Sequence, residues 1–288
     1  VQVGSVTVVA SPARRGLAVL LAERAESPLT WPGLGRRRPP PFTLVLADDS
    51  ASMARLTRGR APGWGAGVAF PGARAVILRA DLPDLERTLR HELAHLVLRD
   101  VVRGRLPLWF EEGYAVYGAG EFDRADALAL NLAVAAGRVP TLQELDAMLR
   151  GSATSADLAY ALAASALEEI ARRPAPGGLT PLLDRLAAGE DFRAALLGAT
   201  GLDEDRFEET WRLGLRRRYN LLTWIVTGGM WAILALSLGA LAWERRRRDA
   251  PRREALNVGW EVAPEPPEGG GEASGTPTVP VDQRPPTE

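Results

Sequence analysis

"DLERTLRHELAHLVLRD", residues 84–100, holds both histidines of the chain, His91 and His95, four positions apart. Leu85, Leu89, Leu93 and Leu96 recur at helical spacing, and Pro83 with Asp84 supplies a start signal, so the stretch reads as an amphipathic helix. Residues four apart project from one helix face, which lets both imidazoles reach a single ion. Glu92 follows the first histidine and can lie beside a water on that ion rather than on the ion itself, the H-E-x-x-H arrangement. In that place a carboxylate can take the water's proton during attack on a carbonyl and pass it to the leaving nitrogen. Glu86, Arg87, Arg90 and Arg99 make the helix a poor fit to the interior of a bilayer.

Catalytic zinc sites keep one open position beside three protein ligands, so a third ligand is needed. The chain has no cysteine, which leaves His, Asp and Glu as metal ligands and excludes disulfides and thiol nucleophiles. Downstream, "LPLWFEEGYAVY", residues 106–117, offers Glu111 and Glu112.

Working outward, the first 80 residues alternate strand-like and helix-like runs. They read as VQVGSVTVVA (1–10), a helical PARRGLAVLLAERA (12–25), FTLVLAD (42–48), a short helix over 50–56 and ARAVILRA (73–80). RAPGWGAGVAFPG (60–72) is a Gly- and Pro-rich loop running into a strand. After residue 84 the pattern is helical, with further helices expected near 108–118, 122–137, 141–150, 155–172, 178–188 and 203–219.

Residues 220–243 read as a transmembrane helix, because Leu221 to Trp243 carry no charge and at about 1.5 Å per residue match the roughly 30 Å hydrocarbon core. Tyr219, Trp224 and Trp243 fall near its ends. Arg245 to Arg248, Arg252 and Arg253 in and around a basic juxtamembrane segment, 244–253, outnumber Arg212 and Arg216 to Arg218. That bias puts the C-terminal side in the cytoplasm and the domain formed by residues 1–219 outside it. Residues 254–288 are rich in Pro, Gly and acids and read as a disordered tail, in which PEPPE and QRPPTE could engage a partner as polyproline II segments.

An H-E-x-x-H helix followed by a helix containing W-x-x-E-G-x-A (Trp109 to Ala115) resembles the gluzincin metallopeptidases. The likeness is to the small bacterial peptidase MA-like domains and, more distantly, to the aminopeptidase N family. The resemblance covers roughly residues 40–215, through ATGLDEDRFEETW (199–211), which is similar to the family's last helix. It implies that His91, His95 and Glu112 hold one Zn2+ per chain, that Glu92 is the general base, and that Glu111 occupies a variable position. AYALAASALEEI (159–170) is similar to the family's helix beginning Y-x-x-S or Y-x-x-G-A, and by that likeness Tyr160 donates a hydrogen bond to the oxyanion. The G-x-M-E-N segment with which aminopeptidases of this kind bind a free amino terminus has no counterpart; GWGAGVAFPG lies in a comparable place, and GVAF is a candidate edge strand for pairing with an extended peptide.

The expected fold class is α+β: a small N-terminal mixed sheet with helices, a mostly helical metallopeptidase subdomain, then one transmembrane helix. A net charge of -1 supplies no field for nucleic acid, so no nucleic-acid partner is expected. The expected function is a single-pass, membrane-anchored zinc peptidase acting on protein or peptide outside the cytoplasm. The alternative is a catalytically inactive gluzincin-fold binding or scaffold protein at the membrane.

Overall fold

The structure, a computed structural model, describes residues 1–61, 65–151, 153–174, 176–219 and 230–257. Seven strands come from the N-terminal third: β1 (Gln2–Val3), β2 (Val6–Val9), β3 (Leu29–Trp31), β4 (Gly35–Arg37), β5 (Phe42–Ala47), β6 (Gly67–Phe70) and β7 (Ala75–Arg79). Five form one mixed sheet in the order β1-β2-β5-β7-β6, parallel at β2–β5 and β5–β7 and antiparallel at both outer pairs. The run read as one strand over residues 1–10 is folded back on itself, with β1 pairing β2 and Gly4 at φ +54° in the turn. Leu29 to Arg37 form a separate antiparallel hairpin, β3–β4, that the sequence reading lacks.

Strand alternation sends Val76 and Leu78 to one sheet face and Ile77 to the other. On the first face lie α1 (Arg15–Glu26) and α3 (Leu85–Val101); on the second lies α2 (Ser50–Thr57), whose Met53 packs with Ile77 and Ala47. Thus α3 has the sheet along one side and the helical body along the other. That body comprises α4 (Leu108–Ala119), α5 (Arg124–Ala135), α6 (Leu142–Leu149), α7 (Ala153–Ala171), α8 (Leu179–Ala187), α9 (Phe192–Thr200) and α10 (Glu204–Arg218). Helix α7 runs against α4, α5, α6 and α10.

The starts of α3 and α4 fall where the sequence places them, but neither N-cap residue makes a side-chain cap hydrogen bond. Asp84 precedes α3 in the left-handed region (φ 59°) and makes no side-chain cap; its carbonyl accepts from Thr88 N–H and from the Thr88 hydroxyl. Helix α4 begins after Pro107 with no cap of its own, and Asp146 from α6 accepts from Trp109 N–H (2.7 Å) and Leu108 N–H (3.4 Å). A carboxylate at the positive end of α4 satisfies donors that would otherwise be orphaned and fixes that helix to α6.

Among the described residues no helix is long and apolar enough to cross a membrane. Of the expected span, residues 220–229 lie outside the described residues. The rest belongs to α11 (Met230–Asn257), whose long uncharged run covers Met230 to Trp243, about 21 Å of helix against a core of about 30 Å. Helix α11 continues through the basic segment to Asn257, four residues into the stretch read as tail; residues 258–288 lie outside the described residues, as do 62–64 in the loop before β6.

Candidate metal centre and its cavity

The site is built from α3 and α4 crossing beside the sheet edge. In α3, Leu89, Leu93 and Leu96 are buried, so the helix face carrying His91 and His95 is oriented by the core it packs on. Arg90, on the same helix, donates through Nε to Gly118 O (2.7 Å) near the end of α4 and lies over the Trp31 ring. Helix α4 is anchored by Trp109, which is fully buried, stacks on Phe207 and meets Phe110 and Phe192 edge-on.

These contacts bring Glu112 opposite the two histidines. Its Oε2 lies 3.6 Å from Nε2 of His91 and 3.6 Å from Nε2 of His95, and ligand atoms of all three residues fall within 4.8 Å of one another. Both distances exceed an ordinary hydrogen bond. Around a tetrahedral ion with bonds of about 2.0–2.2 Å, neighbouring ligand atoms stand roughly 3.3–3.6 Å apart, which both Glu112–histidine spacings match.

The electrostatics point the same way. Burial pushes the His91 imidazole down, but Glu112 and Glu121 outweigh it and hold it well above the ordinary histidine value; at His95 burial is likewise outweighed, by Glu112. Burial would raise Glu112, yet His95 and His91 keep its carboxyl far below the carboxylate range. One buried carboxylate therefore draws positive charge into the triangle, a demand that a divalent cation meets while the imidazoles become neutral ligands.

Glu111 lines the same cavity but is not part of the ligand triangle. It receives Nε of Arg99 at 3.1 Å, with a second, very short contact from Nη2 of the same arginine, and Arg99 Nη1 also holds Gly104 O. This carboxylate clasps α4 to the end of α3 and the turn after it, rather than facing solvent as a free surface charge.

Glu121 was not singled out by sequence reasoning. It follows Gly120, whose left-handed conformation (φ 70°) ends α4, and its Oε2 lies 2.9 Å from Nδ1 of His91. With a metal ion bound, Nδ1–H donating to that carboxylate would leave the lone pair of Nε2 free to face the ion. No local pattern marks Glu121; only its place just after the end of the helix that carries the E-G pair could have suggested it.

Glu92 is 6% exposed and lines the same cavity, of about 600 Å3, as the three ligand candidates. Burial raises its carboxyl above the usual range, partly offset by His91 and His95, while Glu112 adds to the rise and the backbone N–H of Ala69 opposes it. A carboxylate whose pKa is raised is the stronger base and takes a proton from water more readily. Strand β6 reaches Glu92 because Gly67 lacks a side chain: a Cβ there would come within 2.8 Å of Glu92 Oε1 and of Thr88 Cγ2. Tyr160, from α7, also lines the cavity, with its ring 6.1 Å from that of His91 and perpendicular to it. Burial, with Glu112 and Glu92 nearby, raises its phenol, so the hydroxyl keeps its proton and remains a donor.

No curated protein matches the sequence. A sequence profile of the Peptidase MA superfamily matches residues 35–217, well over half of the chain, and its span contains α3, α4 and α7 with every site residue described above. The convergence of two α3 histidines with an α4 glutamate therefore lies inside a family-wide match, and the chain belongs to the Peptidase MA superfamily.

Proposed function

We propose that the protein is a membrane-anchored, zinc-dependent peptidase that hydrolyses peptide bonds with Glu92 as general base. The observation that supports it most is the triangle of His91, His95 and Glu112 with Glu92 beside it in one cavity. A zinc ion held by those three ligands would polarise a carbonyl and lower the pKa of water. Glu92, adjacent to the ligands and already lifted in pKa, takes a proton from the attacking water and returns it to the leaving nitrogen. Tyr160 donates a hydrogen bond from its hydroxyl to the oxygen on which negative charge develops.

Strand β6 is at the sheet edge, and Gly67, Val68 and Ala69 line the cavity. An extended peptide pairing with that edge would lie across Glu92, which favours protein or peptide substrates over small amides. The uncharged run Leu221 to Trp243, with arginines denser after it than before, supports a single-pass anchor with the peptidase domain outside the cytoplasm and the Pro-rich tail inside, open to a partner.

Elemental analysis of the purified chain, paired with a peptide-library assay, tests the reading. One zinc per chain is expected in wild type and in Glu92→Gln and is lost in His95→Ala, while Glu92→Gln loses about 10²- to 10⁴-fold in turnover. Full activity in Glu92→Gln refutes the general base, and bound zinc without hydrolysis in wild type would favour the scaffold reading.

A further inference from the structure

The body of the protein ends beside the mouth of its own catalytic cavity. The ring of Tyr219, directly after α10, lies 6.5 Å from that of Phe122. Phe122 sits between Glu121, which holds His91, and Asp123; Glu121, Asp123 and Asp126 line the cavity. Only Asn220 separates Tyr219 from Leu221, where the uncharged run begins. Two residues reach at most about 7 Å, comparable to the roughly 5–8 Å by which one headgroup layer extends beyond the hydrocarbon boundary, so Tyr219 would lie within the interface where aromatic belts sit.

The neighbouring surface has a matching character. Helix α5, starting two residues after Phe122, exposes Ala125, Leu128, Leu132, Ala135 and Ala136 along one face, with Leu132 63% exposed. Exposed Arg124 and Arg138 flank that face, and Arg216 is exposed in the last turn before Tyr219. Isolated exposed leucines are ordinary, but a continuous apolar face bordered by guanidinium groups is the pattern of a helix lying in a membrane interface. Anionic headgroups would complement those arginines, while the acidic groups of the Phe122 corner, Glu121, Asp123 and Asp126, line the cavity.

We infer that the outer face of α5 and the Phe122 corner rest on anionic lipid headgroups, so that the catalytic cavity opens at the bilayer surface. The inference rests on the anchored reading above and adds the orientation of the domain on its membrane. Polypeptide segments close to the bilayer are then presented to the site ahead of segments far from it.

The chain has no cysteine, so single-cysteine variants Leu128→Cys, Leu132→Cys, Leu20→Cys and Leu56→Cys of the full chain accept one environment-sensitive fluorophore each. All four positions are exposed. The labelled proteins are reconstituted in phosphatidylcholine vesicles containing a minority of phosphatidylglycerol, with and without quencher-bearing lipids. The expected result is flotation with the vesicles, together with a blue shift and lipid-dependent quenching at positions 128 and 132 and neither at 20 and 56. Flotation without quenching at 128 and 132 overturns the orientation and leaves the anchor standing. Failure to float overturns both.

Discussion

At the residue scale, adjacent glutamates in α4 have opposite fates. Glu112 faces His91 and His95, whereas Glu111 is held by Arg99. Glu112→Gln should reduce zinc affinity by at least the 10–100-fold typical of outer-sphere changes, because a ligand itself is weakened; Glu111→Gln should keep one zinc per chain and lower only thermal stability. Metal titration of both variants decides the matter, and equal zinc loss in the two would contradict the assignment. Glu121→Gln keeps a hydrogen-bond acceptor near His91 but removes the charge that favours Nδ1–H. A zinc affinity about 10- to 100-fold weaker is expected, with the stoichiometry at saturation unchanged. The two histidines were legible because helical periodicity alone puts them on one face. Choosing Glu112 over Glu111 required the family resemblance, since neighbouring residues in a helix differ by about 100° in direction and sequence does not say which one faces the neighbouring helix. Glu121 stayed hidden because its partner lies 30 residues earlier, and a loop carboxylate has no periodicity to betray it.

At the element scale, the contact of α4 with α7 sets the depth of Glu112. Gly113 is buried where a Cβ would stand 2.4 Å from Ala163 O and 2.8 Å from its carbonyl carbon, both backbone atoms of α7. Glycine to alanine inside a helix ordinarily gains about 0.5–1 kcal/mol. Here the helices must part, so Gly113→Ala should destabilise by about 1–3 kcal/mol and weaken zinc binding as Glu112 moves. Gly118, one and a half turns later, is the control: its added Cβ would meet Ala94 Cβ at 3.5 Å and Pro32 Cδ at 3.7 Å, ordinary contacts. Gly118→Ala should be neutral or slightly stabilising in the same denaturant titration, and similar losses in both would mean that helix spacing is not what Gly113 controls. The strand and helix runs with strong periodicity were readable at this scale. The β3–β4 hairpin was not, because its strands are three residues long and β4 is Gly-Arg-Arg. Helix α9 escaped for its shortness, although Asp191 caps Ala194 N–H and Phe192, Ala195, Leu196 and Ala199 form its buried stripe.

At the scale of the whole molecule, an ion at the candidate centre would join α3 to α4, and through them the sheet to the helical body. Sequence showed the helical half and its histidine pair, but not how the chain closes around them, since Asp146 capping α4 and Arg99 clasping Glu111 are contacts across 37 and 12 positions. Binding to the folded state alone stabilises it by about 2.7 kcal/mol when free zinc is 100 times the dissociation constant. For a body of this size, each kcal/mol moves the unfolding midpoint by about 2–4 °C, so zinc added to chelator-treated protein should raise Tm by roughly 5–10 °C. His95→Ala should abolish that shift. Glu92→Gln should retain it, because Glu92 lies beside the ligand set rather than within it. Differential scanning calorimetry of the three proteins, with and without zinc, separates the alternatives: a shift lost in both variants would make Glu92 part of the ion's coordination, and a shift retained in His95→Ala would place the ion elsewhere in the molecule.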